Sequence, residues 1–117
     1  MRCIFAATAL SVMMVRITLA ADIPTGFDLM AKCNSGEPSL QVACMDYLLG
    51  FWDGFQYGLE LGPHETPPLC TSHQVQAGQL RLVYLKWARE HPERLNINQG
   101  AAAISSFLEA FPCSATR

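Results

Sequence analysis

LLGFWDGFQYGLELG, residues 48–62, places a glycine at every fourth position: Gly50, Gly54, Gly58 and Gly62. Bulky side chains recur at spacings of three and four through the same stretch and upstream of it, at Leu40, Cys44, Tyr47, Leu48, Phe51, Phe55 and Leu59. That period belongs to a helix with one buried face, and it predicts a long helix from Ser39 to Gly62. Each glycine inside a helix costs about 0.8–1 kcal/mol relative to alanine. A row of them therefore implies close approach. The first expectation is a neighbouring helix lying nearer than the usual ~8–10 Å, with this helix central to a bundle; a groove that receives a partner is the other reading. At ~100° per residue the row starts beside the apolar face at Gly50 and drifts to its centre by Gly58. Asp46, Asp53 and Glu60 stand seven apart and share the opposite face. Glycines four apart also form a packing face in lipid, but carboxylates at bilayer depth each cost roughly 3 kcal/mol, so this helix belongs in water.

Three further helices follow from the same reasoning. A short one over residues 26–33 ends in NSGEPS, whose Gly36 and Pro38 are turn residues. A third starts between Ser72 and Gln76, carries Leu80, Val83, Tyr84, Trp87 and Ala88 on its inward stripe, and is stopped before Pro92. The fourth, Ile97 to Phe111, is expected to face inward with Ile97, Ala101, Ile104, Leu108 and Phe111, and Asn96 with Gln99 has the spacing of an N-cap and its reciprocal partner. No run alternates with period two, so no strand is expected. PHETPPL, residues 63–69, holds three prolines among polar residues and reads as an exposed loop.

The N-terminus reads differently. Arg2, an apolar run from Cys3 to Val15 and small residues at Thr18, Ala20 and Ala21 make residues 1–20 a secretory signal peptide, cleaved after Ala20 or Ala21. The apolar run is shorter than the ~20 residues a membrane span needs. Residues 21–117 then form a single domain, in which 8 basic residues fall to 6 with the loss of Arg2 and Arg16, against 10 acidic ones, a net charge of −4. No basic patch for nucleic acid remains.

Cys3 leaves with the signal, and Cys33, Cys44, Cys70 and Cys113 enter an oxidising compartment, where four cysteines imply two disulfides. The last two helices, joined by a short connection, should fold back as an antiparallel pair. Cys70 stands just before one and Cys113 just after the other. They are the natural bridge among three connectivities, and Cys33 with Cys44 follows by elimination. The expected fold is all-α, a small four-helix bundle stapled by two disulfides.

Chemistry is sparse in this sequence. With the cysteines committed to disulfides there is no thiol nucleophile, and Asp53 and Glu60 read better as a solvated helix face than as an acid/base pair about 10 Å apart. His64, His73 and His91 are scattered. Cys70 with His73 has the spacing of half a metal site, but no second pair completes it. No catalytic residue, metal or cofactor is expected, and no enzyme.

A resemblance supplies what the residues alone do not. Cys44, Tyr47, Leu48, Gly50, Asp53 and Gly54, then Cys70, Val75 and Gln79, Tyr84 with Leu85, the HPE of residues 91–93, Ala101 with Ala102, and a terminal AFPC at 110–113 resemble the amidase-immunity family of bacterial type VI secretion. The chain departs from the family's habit at Ser72 and Gln76, where a proline and a threonine are common. The resemblance implies a periplasmic, all-helical, disulfide-bonded protein, often a homodimer, that blocks the active-site cleft of a secreted peptidoglycan amidase with a protruding loop. For that contact the candidates are His64, Glu65 and Pro67 in the loop, Asp53 and Glu60 as steering charges, and His91 in the turn 91–96 as a second surface. Two other readings compete: an envelope interaction module without a toxin, and a periplasmic acid-stress chaperone, whose opening at low pH two disulfides would oppose.

Overall fold

A computed structural model describes residues 22–62, 69–70 and 74–113. Among these residues are four α-helices, α1 (Gly26–Cys33), α2 (Pro38–Leu61), α3 (Ala77–Glu90) and α4 (Gln99–Ala110), with a 3-10 turn (Pro92–Arg94) between α3 and α4. Each begins where local chemistry allows. Thr25 caps α1 through a reciprocal pair, its hydroxyl accepting from Asp28 N while Thr25 N donates to Asp28 Oδ2 at 2.7 Å. Pro38 opens α2 at the first helical position, where its missing N–H is not needed. His91 closes α3 ahead of Pro92.

Both bridges form as the hairpin geometry requires, Cys33 to Cys44 and Cys70 to Cys113, with Cα–Cα distances of 5.1 and 4.6 Å. Beside the second, Leu69 and Pro112 make an isolated β-bridge and Cys70 N donates to Phe111 O at 3.1 Å. Among the described residues no strand extends beyond such single bridges.

The core gathers Leu29, Leu48, Trp52, Leu80, Tyr84, Leu85, Trp87, Leu95 and Phe107 with both halves of the first disulfide. α2 is the most exposed helix, with three of its 24 residues buried, against five of 14 in α3 and five of 12 in α4. Tyr84 is fully enclosed and its hydroxyl donates to Gly26 O at 2.7 Å, fastening α3 to the start of α1. Arg81 Nε donates to Cys33 O at 2.7 Å and holds the other end of α1.

Several expectations change here. The inward side of α4 is Gly100, Ala102, Ala103, Ser106 and Phe107, while Ala101 and Leu108 are exposed. Small residues, not the largest ones, face the bundle because α4 must come close: a Cβ on Gly26 would stand 3.1 Å from Ala102 Cβ, and one on Gly100 2.9 Å from the Phe51 ring. The cap of α4 is Asn98, whose side chain accepts from Gly100 N at 2.8 Å, not Asn96. Tertiary pairing moved it. Ile97 O accepts from Gly26 N and Gln99 N donates to Pro24 O, which makes a Thr25–Asn98 bridge and keeps this segment extended until Asn98. In α2 the buried line is Cys44, Leu48 and Trp52, with Leu40 at the exposed edge. Trp52 is held edge-on against Phe107 and Phe111, at centroid distances of 5.3 and 5.4 Å.

The glycine row reverses the expectation made of it. Gly50, Gly54 and Gly58 are exposed, and a Cβ placed on any of them meets nothing within 4 Å. Among the described residues no helix lies in that groove. The close approaches occur at Gly26 and Gly100 instead. No glycine among the described residues has positive φ, so backbone conformation does not call for the row either.

Candidate functional site

The second half of α2 carries the surface of interest. Beyond Trp52 no residue of this helix is buried; Phe55, Gln56 and Leu59 are half-covered, and the rest faces out. Asp53, Gln56, Tyr57 and Glu60 line a shallow depression of about 290 Å³. Tyr57 is 66% exposed and Leu61 87%. The face thus combines acidic groups, a phenol, an exposed leucine and the open glycine groove. α2 contains no lysine or arginine, so nothing on the helix itself neutralises Asp46, Asp53 and Glu60. A rigid mount holds it, since the N-terminal half of α2 is tied to α1 by the Cys33–Cys44 bridge.

Asp53 and Glu60, expected as steering charges, are therefore brought together on one depression. His64, Glu65 and Pro67 lie outside the described residues; the helix that ends at Leu61 leads directly to them, and Leu69 and Cys70 receive the chain on the other side, anchored to Pro112 and Cys113. His91 is elsewhere. Its ring is half-buried against Trp87, with centroids 5.2 Å apart, and its nitrogens face Glu93 and Glu109. None of these residues lines the depression on α2. Around it the 91–96 turn exposes Pro92, Glu93, Arg94 and Asn96.

Sequence reasoning missed Tyr57, Gln56 and Leu61. The signal was available: once the glycines are allowed to face water, residues 57 and 61 fall on that side, and Gln56 stands three and four positions from Asp53 and Glu60. It also missed the meeting of Glu90 and Glu109 with His91, which only the α3–α4 hairpin creates. Cys70, half of the metal spacing noted with His73, is in a disulfide and is not a ligand. Among the described residues no helix is long and apolar enough to cross a membrane.

Comparison with known proteins gives one family. The family model described as Rap1a immunity proteins matches residues 25–113. No curated protein and no solved structure shows a significant match to the chain. The matched segment spans all four helices and both disulfides, and leaves the N-terminal residues outside it, as a signal peptide cleaved on the way to the periplasm would be.

Proposed function

The chain belongs to the Rap1a immunity proteins of type VI secretion, and from that premise we propose that its protein partner is a secreted peptidoglycan amidase engaged through the loop 63–68 and the acidic second half of α2. An immunity protein of the periplasm acts by binding a protein, not by catalysis. The finer assignment rests on one observation above the others: three helix-interior glycines cost stability, and nothing among the described residues occupies the space they leave. A partner backbone or side chain laid along that groove would use it. Asp53 and Glu60 add long-range attraction for a basic rim on the partner, which acts mainly on the association rate.

The loop is the plug in this reading. Its ends are fixed at Leu61 by the helix and at Cys70 by the bridge to Cys113, so less ordering entropy opposes binding. His64 and Glu65 are the polar contacts to the amidase's catalytic groups, and Pro67 stiffens the approach. The test is co-purification of the partner from periplasm, followed by inhibition of peptidoglycan cleavage with His64→Ala/Glu65→Ala and with Asp53→Lys/Glu60→Lys. Loss of inhibition in the first pair and a slowed, less salt-sensitive association in the second are expected. Full inhibition by both pairs rejects this surface, and the turn 91–96 is then the alternative.

A further inference from the structure

We propose that Glu90, His91 and Glu109 form a binding site for a divalent transition cation of the zinc class, at the end of the α3–α4 hairpin and apart from the amidase surface. One oxygen of each glutamate and a ring nitrogen of His91 lie within 4.8 Å of one another. Two of the three groups already meet as a hydrogen-bonded pair whose spacing an ion could adopt. His91 Nε2 stands 3.2 Å from Glu109 Oε2 and 3.4 Å from Oε1, so both carboxylate oxygens face the imidazole at the long end of hydrogen-bond range. Two ligands of a tetrahedral ion with bonds of ~2.0–2.1 Å sit about 3.3 Å apart. The pair already has that separation.

The second shell has the matching arrangement. The other ring nitrogen, Nδ1, faces Glu93 Oε1 at 3.7 Å, and Glu93 is exposed and free to close that gap. A carboxylate on Nδ1–H holds the neutral tautomer that leaves the Nε2 lone pair for a metal. The ring is oriented without help from an ion, because the imidazole packs on the buried indole, with centroids 5.2 Å apart. Among the described residues the buried Trp87 Nε1 has no hydrogen-bond partner; as a donor it could hold a water carried by the ion, not the ion itself. A cleft of about 200 Å³ beside the cluster is bordered by two of its three members, Glu90 and Glu109, together with Lys86 and Trp87. Lys86 is the competing cation, 2.7 Å from Glu90 Oε2, and with its side chain 72% exposed it can swing into solvent. His and carboxylate donors together suit zinc, cobalt and nickel rather than calcium or magnesium.

The experiment uses the mature, oxidised protein free of tags and chelators. Calorimetric titration with zinc chloride should give one ion per chain, and cobalt should give visible absorption bands of a low-coordinate site. His91→Gln and Glu109→Gln should each weaken zinc at least tenfold with an unchanged thermal midpoint in the absence of metal, and Glu93→Gln should weaken it about tenfold through the second shell. His64→Ala/His73→Ala should bind as the parent does. No binding, affinity within twofold of the parent in His91→Gln and Glu109→Gln, or loss of the site in His64→Ala/His73→Ala overturns the proposal.

Discussion

Replacing Gly50, Gly54 and Gly58 together by alanine should make the protein more stable and a poorer binder. Each position is interior to α2 and exposed, and each new Cβ would meet no atom within 4 Å. Only the helix preference is left to act, about 0.8–1 kcal/mol per site in favour of alanine. Three sites sum to roughly 2.5–3 kcal/mol, a large increment on a total of about 5–15 kcal/mol. For a domain of this size ~1 kcal/mol moves the thermal midpoint by about 4–8 °C, so a rise of roughly 10–20 °C is expected in calorimetry or circular dichroism. The denaturant midpoint should rise with unchanged slope. Gly100→Ala is the control with the opposite sign, because its Cβ would stand 2.9 Å from the Phe51 ring and 3.1 Å from Asn98 Oδ1; overpacking of this kind costs about 1–3 kcal/mol. Binding of the amidase by the triple variant should weaken, since three methyl groups fill the groove. A triple variant no more stable than the parent refutes the open face. One that is more stable but inhibits normally refutes the groove as a contact surface.

Removing the long bridge with Cys70→Ser/Cys113→Ser should cost about 4 kcal/mol, from the entropy of a loop closed over a sequence separation of 43; urea unfolding reads it, and a loss below ~1 kcal/mol contradicts the bracing role. Tyr84→Phe leaves Gly26 O without its buried donor and should cost about 1–3 kcal/mol at neutral pH. Burial, with a smaller contribution from Tyr47, pushes the Tyr84 hydroxyl far above its ordinary value of 10.0. The folded state keeps the proton that the unfolded chain releases, so stability is complete below pH 10.0 and falls as pH rises above it; Tyr84→Phe should flatten that alkaline limb. At the acid end, hydrogen bonds from Thr25 hold the Asp28 carboxyl below its ordinary 3.8. Its contribution is present above that value and disappears as pH falls through the lowered one, so Asp28→Asn should be least distinguishable from the parent at the lowest pH.

Sequence periodicity alone located four helices and the two disulfides, because a bulky residue every three or four positions and a cysteine at each end of a hairpin are local facts. It also gave the charges on the outer face of α2, since residues seven apart on a helix must share a side. It did not give the inner face of α4, where Ala102, Ala103 and Ser106 are buried and Leu108 is exposed. Size marks a core position only where the partner is distant enough to need filling, and α4 lies too close to α1 and α2 for that. Asn98 displaced Asn96 as the cap because Ile97 and Gln99 bond to Gly26 and Pro24, residues more than seventy positions away in the chain. The meaning of the glycine row was likewise undecidable from the sequence, for a groove filled from within and a groove left open share one spacing. Which it is depends on where the other helices go, and they pack on the side of Cys44, Leu48 and Trp52, leaving the glycines to water and to whatever protein fits them.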